Sequence, residues 1–330
     1  MMKTMIARCA TAAAGTALAL ALMSGAAQAE WRGWNIHPPE YPVSIGMEKF
    51  AELAKEKTKG RVTGKVYHSA VLGDQSDAIS QVQLGAIDFA EFNMGPIGTA
   101  VPEVNVVSLP FIFRSVDHMH RVMDGPVGDK LAAAMEQKGL VALAWYDSGA
   151  RSFYNTKKPI TSPNDMKGMK MRVMNNTLFV GMVESMGGNA TPMPYSDVYQ
   201  SLKTGVIDGA ENNWPSYESS NHYEVAGYYS LTEHLILPEC LCVSKTSWSR
   251  LSAEDQKAVR EAARESATLQ RQLWADREAK SRDMIVKAGG KINEITNKVP
   301  FQTQMVAVYE DAIKKTPALK DLIADIKAVQ

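Results

Sequence analysis

Apolar positions along the chain follow two periods, and the points where one gives way to the other mark the predicted elements. WRGWNIHPPEYP, from residue 31, reads as a strand ending at His37, with Pro38 and Pro39 forcing an extended exit. Met47, Phe50, Ala51 and Ala54 then recur at helical spacing up to Gly60. RVTGKVYH is strand-like, SDAISQVQL helix-like after Asp74, and AIDFAEFN strand-like again. This β-α-β-α-β order predicts an α/β fold with a parallel sheet and helices on both faces. After the helical GPVGDKLAAAMEQKG, the apolar run LVALAWYDSGAR predicts a strand buried on both faces that ends at Arg151, and SFYNTKKPI continues extended. Lys170, Arg172 and Val173 form a short strand between Gly168 and the pair Asn175 and Asn176. A helix over 177–187, the strand NATPM, the helix SDVYQSLK and the strand VIDGAENN follow.

Two of these units repeat. SDAISQVQLGAIDFAEFN, residues 76–93, aligns without gaps on SDVYQSLKTGVIDGAENN, residues 196–213, with Gly85 over Gly205 and Glu91 over Glu211. Such a match predicts two similarly built lobes, and a cleft between lobes is a favoured place for a small ligand. Either glutamate could equally hold its lobe's turn. Further on, LILPECLCVSK reads as another buried strand. From Ser252, a capping residue with Glu254 and Asp255 in the first turn, no Pro or Gly interrupts the chain up to Lys287 and Ala288. That helix would be about 55 Å long, a strut along both lobes. Asp276 with Lys280, Glu278 with Arg282 and Asp283 with Lys287 are spaced to pair on its solvated face. The tail predicts one or two amphipathic helices.

Composition narrows the function. Lys3 and Arg8 precede an Ala/Leu-rich stretch that ends in Ala27-Gln28-Ala29, the pattern of a secretory signal peptide over 1–29 cut before Glu30. Formal charge is +0 and no basic face stands out, so no nucleic-acid partner is expected. Cys240 and Cys242 share one face of a strand, an awkward geometry for bridging each other, so buried thiols are expected rather than a redox or metal pair. Phosphate-binding loops, nucleophile elbows and zinc-binding helix motifs are missing from the sequence, and the six histidines are scattered. No cofactor and no metal are expected. A pair of acidic residues acting on sugars is not excluded by counting carboxylates. What converges instead is a binding set: Arg151, Arg172, Asn175 and Asn212 fall at or just past predicted strand ends, and His37 ends the first strand. Two guanidinium groups suit an anion, and amides with a histidine suit hydroxyls. Trp214, Tyr217 and Tyr154 could supply an apolar face for a sugar ring, although aromatics at such spacing also serve as core.

Three motifs in order, GARSFYNTKKPI, DMKGMKMRVMNN and GVIDGAENN, resemble those of the extracytoplasmic solute-binding subunit of TRAP (tripartite ATP-independent periplasmic) transporters. LGDQSDAISQVQLGAIDF and the long helix after LSAEDQKAV extend the likeness over the mature chain. The resemblance implies a two-lobed periplasmic binding protein that closes on an organic acid and delivers it to a membrane permease. It puts the carboxylate-clamping arginine on Arg172, a second arginine on Arg151 and the cleft asparagine on Asn212, with Asn175 following and His37, Gln75 and Asn93 as further contacts. Its lobes would be 30–150, completed by about 237–265 and the C-terminal helices, and 151–236, completed by part of about 266–300. NNWPSYESSNHYEVAGYYSLTEHLILPE with ARSFYN is similar to members that bind hexuronates such as glucuronate or galacturonate. A C4-dicarboxylate, an aldonate or a keto acid would use the same clamp, and a periplasmic enzyme or a sensing subunit for a membrane receptor are the rival functions. Nothing in the strut calls for a dimer, so a monomer is expected.

Overall fold

A computed structural model describes residues 30–330, so the export segment predicted over 1–29 lies outside the described residues. Among the described residues nine strands form one sheet: β1 (Trp31–Trp34), β2 (Gly64–Tyr67), β3 (Phe89–Asn93), β4 (Leu140–Asn155), β5 (Lys170–Val173), β6 (Asn189–Pro192), β7 (Gly209–Asn212), β8 (Tyr228–Ser244) and β9 (Lys291–Glu294). Their order is β2-β1-β3-β8-β4-β7-β5-β6, with β9 on β8. The flanks are parallel as the β-α-β pattern predicts, β1 with β2 and β3, and β5 with β6 and β7. The centre is not. β8 runs antiparallel to β3 and to β4, and β4 antiparallel to β7, so the sheet is mixed.

The reason lies in two strands of 16 and 17 residues, β4 and β8. At about 3.3 Å per residue each spans roughly 50 Å, enough to cross both parallel flanks and join them. LVALAWYDSGAR and SFYN are thus one strand, and Arg151 stands inside it rather than at its end. A register shift between Asp147 and Ala150, with Gly149 at φ 59°, marks the bulge by which β4 passes from one half of the sheet to the other. β8 likewise starts well upstream of the apolar run that predicts it.

Cys240 and Cys242 form a disulfide, against the expectation of free thiols. β4 is irregular opposite them, between Ala142 and Ala144, and their Cα atoms lie 5.6 Å apart, inside the range that bridging needs. An even ladder would hold residues two apart further from each other.

The predicted strut is a helix over Ala253–Lys287, capped by Ser252, whose Oγ accepts from Asp255 N at 3.1 Å. It packs on the helix Pro42–Lys57, on the middle of β4 and on the short helix Trp214–Ser219. Among the described residues none of its three predicted acid–base pairs forms. Its basic residues reach across to neighbours instead: Arg277 to Glu218, Arg271 to Asp124 at 2.6 Å, and Arg282 over the Trp214 ring at 5.9 Å. The predicted solvated face is in part a packed one, and burial pushes the Glu278 carboxyl up to about 7. Three helices, Val299–Gln304, Val306–Lys315 and Leu319–Ala328, make up the tail, one more than its pattern suggests.

The sequence repeat is a structural one. Gly85 and Gly205 both end their helices in the left-handed region, at φ 76° and 75°. Asp88 Oδ2 accepts from Arg32 N at 2.8 Å and Asp208 Oδ2 from Lys170 N at 2.9 Å. Asn93 and Asn213 each cap the helix that follows, Met94–Ala100 and Trp214–Ser219. The same short code therefore builds the same turn on both sides of the sheet.

Candidate binding site

The carboxyl ends of β1, β3, β5, β6 and β7 and the middle of β4 and β8 surround one cavity of about 150 Å³. That is on the order of ten times the least space a single water needs, room for a small organic molecule. His37, Gln75, Asn93, Arg151, Arg172, Asn175 and Asn212 all line it. His37 sits in the loop after β1, three residues past the strand it was expected to end, and Gln75 opens the helix Gln75–Leu84. The halves of the sheet meet around this space: Asn175 Nδ2 donates to Ser76 Oγ at 3.3 Å, Asn176 Nδ2 to Gly95 O at 2.6 Å, and the Tyr41 and Ser216 hydroxyls are 2.8 Å apart.

Trp214 and Tyr217 do not take part. Trp214 stacks on Tyr229 at 4.2 Å, and Tyr217 packs on Tyr229 at 4.7 Å while its hydroxyl donates to Ala226 O at 2.6 Å. Tyr154 belongs to the same buried cluster. Their rings anchor the helix Trp214–Ser219 to β8, and the periodicity of that segment carries no mark distinguishing packing from stacking on a ligand.

The two arginines differ in what they already hold. Arg151 Nε and Nη2 donate to Glu211 Oε2 and Oε1 at 2.6 and 2.9 Å, a fork-to-carboxylate pair with both side chains buried. Arg172 is 4% exposed, and its Nε and Nη2 donate only to Met193 O, at 3.0 and 2.9 Å. Among the described residues no carboxylate lies within ion-pair distance of it, and burial lowers its pKa from the usual arginine value. A buried guanidinium left with a neutral acceptor is short of an anion. Asn212 Oδ1 accepts from Asn213 N at 2.9 Å, and the residue lines the cavity. His37 stacks on Tyr41 with ring centroids 3.8 Å apart, and burial, helped by the Arg151 charge, lowers it to about 3, so the imidazole is neutral.

Tyr195, Glu91 and Glu239 are among the lining residues outside the sequence-derived binding set. Tyr195, just past β6, donates to Ser216 O at 3.0 Å and sets its ring edge against His37. Glu91 and Glu239 face the cavity from β3 and β8. Glu239 left a trace, an acid inside an apolar run that predicts a strand buried on both faces.

Residues 35–316 match the family described as bacterial extracellular solute-binding protein, family 7. The chain belongs to that family. Like other solute-binding proteins of family 7 it is a two-lobed periplasmic binding fold. A TRAP periplasmic solute-binding protein from Chromohalobacter salexigens, solved with bound D-glucuronate, is 59% identical, with a TM-score of 0.90 over 91% of this chain and 100% of that one. One from Sulfitobacter sp. NAS-14.1, with bound β-D-galacturonate, is 58% identical, with a TM-score of 0.89 over 90% and 99%. A curated relative from Chromohalobacter salexigens described as a solute-binding protein is 57% identical over 327 residues, 98% of this chain and 97% of its own.

Proposed function

We propose that this family 7 protein captures a hexuronate, such as D-glucuronate or D-galacturonate, in the periplasm and hands it to the membrane permease of a TRAP transporter. The observation that carries the reading is Arg172: a buried guanidinium, facing a cavity for a small molecule, without a carboxylate partner among the described residues. A hexuronate supplies one carboxylate for it and several hydroxyls for Asn212, Asn175, Asn93, Gln75 and His37. The uronates bound by relatives of 58 and 59% identity support the same ligand class. On this reading residues 1–29 are the cleaved export signal, and the lobes divide near residue 150 and again in β8, so that β4 and β8 are the connections about which they close. Ligand shifts the lobes toward closure only as far as it binds closed better than open, so contacts from both halves are required.

Calorimetric titration tests the clamp. Arg172→Ala is expected to cost about 2–5 kcal/mol of hexuronate affinity, and Arg172→Lys to recover only part, because an ammonium cannot present the fork. Near-native affinity in both variants removes Arg172 from the site. A thermal-shift screen against hexuronates, aldonates, dicarboxylates and keto acids tests the ligand class: a shift confined to a different acid keeps the clamp and discards the uronate.

A further inference from the structure

The repeat places a glutamate at the same point of β3 and β7, and the two halves treat it differently. On β7, Glu211 receives the Arg151 fork at 2.6 and 2.9 Å. On β3, Glu91 meets another acid. The β3–β8 ladder sets Asn93 opposite Glu239 and Glu91 opposite Leu241, so Glu91 and Glu239 are diagonal neighbours on one face. They are 1% and 3% exposed, and both line the cavity. Asn93 Nδ2 reaches Glu239 Oε1 at 3.4 Å, while both Glu91 oxygens and Glu239 Oε2 have no hydrogen-bond partner among the described residues.

We propose that Glu91 and Glu239 share a single proton and form the hydroxyl-recognising wall of the cavity, accepting the uncharged end of a ligand whose carboxylate sits on Arg172 and rejecting one with a second carboxylate there. The proposal rests on the hexuronate reading for its ligand and on the structure alone for its proton. Two buried carboxylates side by side cannot both ionise without a cation. Arg151, the positive charge facing them from β4, is engaged by Glu211. His37, from the loop after β1, is neutral. Tyr41 and Tyr146 hold their hydroxyls on Ser216 and Ser266, each at 2.8 Å, and burial keeps both phenols protonated. Ser148 on β4 and Asn93 on β3 are uncharged. Burial accordingly raises both acids, Glu239 up to about 7 and Glu91 well above the usual carboxylate range. Along the sheet β8 and β5 are three ladder steps apart, through β4 and β7, which puts the acid pair and Arg172 at opposite ends of the site. A molecule with one carboxylate and several hydroxyls matches that polarity; a dicarboxylate sets its second charge against the acids.

The test compares wild type, Glu91→Gln, Glu239→Gln and the double variant by calorimetry with D-glucuronate and with D-glucarate, from about pH 6 to about pH 9. Infrared spectra of the ligand-free proteins accompany it. Each single variant keeps one buried acid, and the double variant keeps none. Glucuronate affinity is expected to fall roughly tenfold or more in wild type as the pair ionises, and to stay flat in the double variant. D-glucarate should bind the double variant at least about tenfold more tightly than wild type. A protonated-carboxyl band at the acid end of the range should be present in wild type and lost in the double variant. Superimposable pH profiles, or a missing band, overturn the proposal. Should wild type bind no uronate at any pH, the hexuronate reading falls while the band still decides whether the proton is shared.

Discussion

Arg172 and Arg151 are the same residue type on neighbouring parts of one sheet, and only their partners separate their roles. Arg151 is held by Glu211, so removing one member leaves a buried charge alone. Glu211→Gln is expected to cost about 3–5 kcal/mol of stability, read from the urea midpoint, with a loss of ligand affinity that follows from misplacing Arg151. The titrating groups pull in opposite directions with pH. His37 and His222 are each lowered to about 3, chiefly by burial, with Arg151 and Arg172 respectively adding to it. A depressed histidine contributes stability that is present above its unfolded value near 6.5 and is lost as pH falls toward 3. Glu239, raised to about 7, contributes stability that is present below its unfolded value near 4.5 and is lost as pH rises through 7. Thermal melts across pH should therefore show a maximum in mildly acidic buffer, and Glu239→Gln should hold its melting temperature on the alkaline side where wild type declines. A variant that declines in parallel with wild type contradicts the raised carboxyl. The positions of Arg172, Asn212 and Asn175 at strand ends were legible because a short strand followed by polar residues predicts where side chains reach a crevice. Trp214 and Tyr217 were misread because nothing in a one-dimensional pattern says which side of an aromatic faces a core.

At the scale of elements, β4 decides how the halves connect. Its bulge at Gly149 combines a left-handed φ of 59° with a neighbour, Trp274 Nε1, 2.7 Å from where a Cβ would stand. Gly149→Ala is expected to cost about 1–3 kcal/mol, from backbone strain and displacement of the long helix, and a domain of this size should then melt some degrees lower. An unchanged melting temperature would show that the strand and Trp274 yield freely. The helix Ala253–Lys287 was readable nearly to the residue, since its cap, its uninterrupted run and the terminal glycines are local signals. Its ion pairs were not. Asp276, Glu278 and Asp283 have the spacing for pairing along the helix, but which of its faces is covered depends on the helix Trp214–Ser219 and on β4, elements distant in sequence. Cys240 and Cys242 belong here as well: spacing put them on one face, and only the irregular ladder with β4 brought their Cα atoms to 5.6 Å. Mass measurement before and after reduction under denaturing conditions, with thiol labelling, is expected to find both sulfurs blocked until reductant is added.

For the molecule as a whole, the prediction is coupling between ligand and closure. Saturating hexuronate at a hundredfold excess over the dissociation constant should stabilise the protein by about 2.7 kcal/mol, and solution scattering should report a smaller radius as the halves come together. Arg172→Ala should lose both effects at the same ligand concentration. The sequence by itself determined the alternation of strands and helices, the duplicated helix-turn-strand unit and the long strut, because caps, periods and glycine turns are short-range properties of the chain. It also determined that Arg172, Asn175 and Asn212 stand near strand ends, whereas Arg151 lies inside β4. Tertiary structure alone decided that β4 and β8 run antiparallel through the centre, that Glu211 takes Arg151 while Arg172 meets no carboxylate among the described residues, and that Glu239 meets Glu91. Those outcomes depend on pairing between segments 60 to nearly 150 residues apart, where the desolvation of a charge is set by neighbours that no local pattern names.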